Sequence, residues 1–86
     1  MTHESSQRFW HRYYSLPSEI QILADKNFEL LKINPKHPSL HFKKIKNYWS
    51  VRVGLSYRAL GIEIQNKNTI VWFWIGHHRE YDKLIS

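Results

Sequence analysis

Residues 47–81 read NYWSVRVGLSYRAL, GIEIQNKN and TIVWFWIGHHREY, and the fold is decided there. In the first run Trp49, Val51 and Val53 alternate with Ser50, Arg52 and Gly54. A period of two lays one apolar and one polar face along a strand. Tyr57 to Ile64 has the same strand composition, with Leu60, Ile62 and Ile64 on one face. Asn66-Lys67-Asn68 then stands between two β-rich runs, which is a hairpin signal. Thr69 to Ile75 shows no polar alternation, so an inner strand covered on both faces is expected. That run stops at Gly76, followed by His77-His78-Arg79-Glu80-Tyr81. A short hydrophobic sheet is thus expected to deliver arginines, histidines and a tyrosine to one edge.

Upstream the period changes. Phe9, Trp10, Tyr13 and Tyr14 make one helical face between Ser5 and Leu16. Leu16-Pro17 ends that helix, because a residue before proline is pushed out of the α region. Pro17 suits the start of a second helix, with Ser18 and Glu19 in its first turn. Ile20, Leu23, Ala24, Asn27, Phe28, Leu30 and Leu31 recur every three or four residues and form its buried stripe. Asn34-Pro35 and Pro38 stop it near Ile33. Residues 34–39 are expected to be a loop, Leu40 to Ile45 a short strand, and His78 to Ile85 a last short helix. The expected fold is therefore α+β, one domain over residues 1–86, with two N-terminal helices packed on one face of an antiparallel sheet of three to four strands.

Eighty-six residues give a thin core, since so short a chain hides only about 60–65% of the surface it exposes unfolded. No cysteine is present to brace it, which fits a reducing compartment. Four Trp, five Tyr and four Phe must carry the packing. Thirteen Lys and Arg against seven acidic residues give a net charge of +6, which favours polyanions or acidic proteins as partners. The longest apolar run, Ile70 to Ile75, is far short of the roughly 20 residues that span a bilayer. The N-terminus lacks an apolar stretch behind a basic start, so neither membrane nor secretion is expected and the cytoplasm is the default.

Taken in order, several pieces form a pattern: Leu16-Pro17 opening a long helix, Asn34-Pro35 with Pro38-Ser39-Leu40 closing it, Ser50-Val51-Arg52-Val53-Gly54, Tyr57-Arg58, and Trp74-Ile75-Gly76-His77-His78-Arg79-Glu80-Tyr81-Asp82. In this set, spanning roughly residues 16–82, the chain resembles the RelE/ParE superfamily of bacterial type II toxins. The resemblance implies a small basic toxin neutralised by a cognate, acidic antitoxin encoded beside it. It also implies one of two targets. The RelE-like branch cuts messenger RNA in the ribosomal A site without a metal, whereas the ParE-like branch poisons DNA gyrase and lacks the acid–base residues. The chain departs from the pattern twice. A helix is expected where the first strand usually lies, and Ser50 stands where many RelE-like ribonucleases carry Lys or Arg two places before the arginine read here as Arg52.

Metal-free RNA cleavage needs a base for the ribose 2′-OH, cations for the charge that builds on phosphorus, and an acid for the leaving 5′-oxygen. His78, two residues after Gly76, matches the position where the family places a catalytic-type residue and is the leading acid–base candidate. His77 is the second. Tyr81, three residues beyond His78, would share a helical face with it and assist. Arg58 and Arg52 are the phosphate candidates, because a guanidinium stays charged and binds two oxygens at once. The plainer alternative pairs either arginine with Glu63 or Glu80, usually worth under about 1 kcal/mol when exposed. Lys43, Lys44, Lys46 and Arg79 are expected to grip RNA backbone or to form a solvated basic face. Trp72, Phe73 and Trp74 are expected to be packing residues rather than base-stacking platforms, and part of the Phe9–Tyr14 aromatic face to meet the antitoxin. His37 and His41 flank Pro38 with no third ligand nearby, so no metal and no cofactor is expected.

Overall fold

The computed structural model describes residues 1–86. Its elements are β1 (Thr2–Ser5), α1 (Gln7–Tyr13), α2 (Ser18–Ile33), a 3-10 turn (Pro38–Leu40), β2 (Lys43–Ile45), β3 (Tyr48–Val53), β4 (Tyr57–Ile64), β5 (Thr69–His77) and α3 (His78–Ile85). The sheet has five strands in the order β1-β5-β4-β3-β2. β1 runs parallel to β5 and the other neighbours are antiparallel. No helix is long and apolar enough to cross a membrane.

Two expectations need correction. The sheet is mixed and five-stranded, not an antiparallel sheet of three to four strands. A first strand does exist: Thr2–Ser5 precedes α1, which begins only after Ser6 caps it by accepting the Phe9 amide at 3.2 Å. The two N-terminal helices do share one face, as expected, and Tyr81 of α3 packs on the other with Leu60 and Trp74. The remaining boundaries follow the sequence closely. Ile33 ends α2, and the β4–β5 hairpin turns through Asn66 and Asn68 with φ of 66° and 50°.

The strand β1 escaped the sequence reading because THES carries no apolar alternation. Its inward face is an imidazole. His3 stacks on Trp72 and meets the edges of Phe28 and Phe42. Trp72 Nε1 donates to His3 Nδ1 at 3.1 Å, a bond only an unprotonated nitrogen accepts. Burial holds this histidine below its ordinary 6.5, and the amino terminus and Lys32 act in the same direction. The unfolded chain thus takes up a proton that the folded chain resists. The resulting stability is fully present above pH 6.5 and is lost as pH falls through the lower folded-state value. Melting temperatures measured from neutral pH downward are expected to drop through that window, and less steeply in His3→Gln than in the native protein.

The sheet separates two cores. Val51, Val53, Ala59, Ile70, Trp72 and Ile75 face α1 and α2, while Leu60 and Trp74 face α3. Strict alternation would put Trp72 and Trp74 on the same side. A bulge prevents this. Leu60 pairs with Trp74 and Gly61 with Trp72, so Phe73 has no partner and the side chains switch faces across it. Gly61 makes the bulge possible, because a Cβ there would lie 2.5 Å from Ile70 Cγ2 and 2.9 Å from Trp72 Cε3. Both tryptophans are thereby buried, at 2% and 5% exposure, one in each core.

Candidate functional site

The face that α3 covers carries the charge. β2, β3, β4 and β5 set Lys43, Ser50, Leu60 and Trp74 in one row across the sheet, and Arg52, Arg58 and Gly76 in the next. Directly opposed residues in antiparallel strands stand about 4.5–5.5 Å apart at Cβ, so Arg52 and Arg58 are a like-charged cross-strand pair. Asn27 of α2 donates to the Arg52 carbonyl at 3.0 Å and pins that strand position from behind. Arg58 Nη1 donates to the Tyr57 carbonyl at 2.8 Å, which folds its side chain back toward the strand end. Tyr81 closes the arrangement from α3, with its hydroxyl 2.8 Å from the Ser50 hydroxyl in a buried contact.

Between these groups lies a cavity of about 210 Å³, lined by His41, Lys43, Ile45, Ser50, Arg52, Arg58, Tyr81 and Ile85. None of the seven acidic residues lines it. The two carboxylates that the sequence offered as partners for the arginines are engaged elsewhere. Glu63 accepts from Trp49 Nε1 at 2.9 Å, and Glu80 pairs with Arg12 at 3.1 Å. Burial, and then the Arg52 charge, push the Arg58 guanidinium below its ordinary range, against the opposing pull of Tyr81 and Asp82. Arg52 Nε is buried with no hydrogen-bond partner. An unpaired buried donor beside a like charge is destabilising by itself, and an anion relieves both terms at once. A small anion such as a phosphate group would meet both arginines and Lys43 there.

The residues expected to act together are only partly assembled here. Arg52, Arg58, Tyr81 and Lys43 converge on the cavity. His78 does not line it. It heads α3, with its amide donating to the Ser56 carbonyl at 2.7 Å and its Nδ1 3.8 Å from Asp82. His77 caps the same helix by accepting the Arg79 amide, and its ring meets Tyr57 on the α1 side. Lys44 points to the other face of β2, opposite Trp49, and Lys46 and Arg79 are exposed outside the cavity. His41 is the lining residue that the sequence reading left aside, considered only as a metal ligand. Its spacing of two from Lys43, within a stretch read as a strand, was the available signal.

No family model matches the chain, and no curated protein does. Several solved structures are similar. They include the RelB–RelE antitoxin–toxin complex of Methanococcus jannaschii, 22% identical and covering 96% of this chain and 99% of that one, with a TM-score of 0.71. The RelBE toxin–antitoxin complex of Mycobacterium tuberculosis is 20% identical over 88% of this chain and 95% of that one, with a TM-score of 0.66. A YoeB/ParE toxin of Agrobacterium tumefaciens is 14% identical over 91% and 99%, with a TM-score of 0.67. The chain shares the fold of these RelE and YoeB/ParE structures, as the ordered motifs implied.

Proposed function

We propose that this chain is the toxin of a type II toxin–antitoxin pair and that it cleaves messenger RNA on the ribosome without a metal. The observation that carries the reading is the Arg52–Arg58 pair, set side by side over a cavity that holds no carboxylate. In this reading the two guanidiniums clamp the scissile phosphate and neutralise the charge that grows on it, with Lys43 adding a third cation. Tyr81, fixed by Ser50, presents its hydroxyl beside them. Lys46 and Arg79 hold the flanking backbone as sequence-independent phosphate contacts, and Lys44, on the other face of β2, adds to the basic field. The partner that silences the protein is a small acidic antitoxin, and Trp10 and Tyr14, exposed at 42% and 70%, belong to the surface it covers.

A second reading has its own observation. Ser50 is neutral and committed to Tyr81, so the position two before Arg52 supplies no cation. That favours a gyrase inhibitor of the ParE type. Induction in a bacterial host, with and without the adjacent gene, separates the two when messenger 5′ ends and DNA breaks are mapped together. Growth arrest with new clustered 5′ ends is the expected result, and the adjacent gene is expected to relieve it. Arrest with DNA breaks and intact messenger RNA would establish the second reading, and unimpaired growth would remove both.

A further inference from the structure

The cavity that holds the arginine pair contains one imidazole, and it is not the one the chain's motifs point to. We propose that His41 is the proton-acceptor residue of this site, an assignment that rests on the nuclease reading above. Four charged or titratable groups face it across the cavity: Lys43 from β2, Arg52 from β3, Arg58 from β4 and Tyr81 from α3. A guanidinium keeps its proton, and an ammonium or phenol ordinarily does so at neutral pH. Imidazole is the group that exchanges one there. His78 is outside the cavity with Asp82 beside its ring, and His77 is occupied in capping α3.

The backbone supports the same assignment. His41 adopts φ 44° and ψ 43°, the left-handed conformation that few residues other than glycine take, with asparagine, aspartate and histidine the commonest of them. It is held there by the 3-10 turn before it. Leu40 is fully buried, His37 Nδ1 accepts the Ser39 amide, and the His41 amide donates to the Pro38 carbonyl at 3.4 Å. Such a conformation persists where the surroundings over-determine it. Here it turns the chain so that His41 and Lys43 line the same hollow.

The step balances as follows. The His41 imidazole takes the ribose 2′-hydroxyl proton while the 2′-oxygen bonds to phosphorus. The bond from phosphorus to the 5′-oxygen breaks, and that oxygen leaves with the Tyr81 phenolic proton. Water then removes the imidazolium proton and restores the phenol, leaving a 2′,3′-cyclic phosphate and a 5′-hydroxyl. Arg52 and Arg58 hold the two non-bridging oxygens throughout.

The test uses the purified full chain on messenger RNA in programmed ribosomes, under single turnover, across acidic to alkaline pH. His41→Asn keeps the left-handed backbone and removes the acceptor, and His41→Ala checks that result. Both are expected to cleave about 10²- to 10⁴-fold more slowly, to lose the acidic limb of the rate profile, and to bind and melt as the native protein does. His78→Ala is expected to keep the acidic limb of the profile. Cleavage by the native protein together with an unchanged rate and acidic limb in His41→Asn would overturn the assignment while leaving the nuclease reading intact. Loss confined to His78→Ala would do the same. If the native protein leaves the message uncut, the nuclease reading and this assignment fall together.

Discussion

Replacing Arg58 by alanine is expected to slow cleavage of ribosome-bound message by about 10²- to 10³-fold, the usual cost of deleting one preorganised donor to a developing anion. The same change is expected to leave the melting temperature unaltered or slightly raised. Arg58 stands opposite Arg52, both are partly buried, and no carboxylate lies in the cavity to balance them. Removing one member therefore relieves a repulsion at the same time as it deletes a phosphate contact. Arg58→Lys separates charge from shape, because an ammonium keeps the repulsion but loses the planar fork. It is expected to fall between the native protein and the alanine variant. Inorganic phosphate offers an independent readout: it is expected to raise the melting temperature of the native protein by mass action and to do so less in Arg58→Ala. Cleavage by Arg58→Ala within twofold of the native rate would dismiss the clamp.

The largest structural effect is expected at Trp72. Truncation of a buried tryptophan to alanine ordinarily costs about 3–5 kcal/mol, and Trp72 is 2% exposed at the centre of the larger core. It also donates to His3 and stacks on its ring, so its loss detaches β1 as well as emptying the core. Small domains hold only about 5–15 kcal/mol in total, and each kcal/mol moves the melting point of one this size by about 4–8 °C. Trp72→Ala is therefore expected to melt at least about 12 °C lower, or to be unfolded at growth temperature, by circular dichroism. Trp10, on the exposed face of α1, is the comparison: Trp10→Ala is expected to change melting little. Equal effects at the two positions would refute the division into core and surface.

Much of this architecture is legible in the letters because hydrophobic period reports burial directly. The α2 stripe, the alternation of Trp49, Val51 and Val53, and the double-sided burial of Thr69 to Ile75 all correspond to what the coordinates contain. Three features were not legible, each for a physical reason. β1 is held by backbone pairing and one imidazole rather than by an apolar pattern. The bulge at Phe73 shifts the faces of β5 with no change in composition. The placement of α3 across the sheet from α1 and α2 depends on tertiary packing, through Tyr81 with Leu60 and Trp74. In the site, residues on strands were well placed by register, which is why Arg52, Arg58 and Lys43 meet. Residues at element junctions were not. His77, His78 and His41 each sit where the chain changes direction, and there the spacing in sequence says little about where a ring points.

The parallel pairing of Thr2–Ser5 with Thr69–Trp72 has a bearing on biosynthesis. Thr2–Ser5 have no place in the sheet until Thr69–Trp72 have been translated, and contacts between such distant segments form slowly. Tyr81 reaches its seat later still. The cavity follows the same order, since Lys43, Arg52 and Arg58 line it together with Tyr81, which is translated after all three.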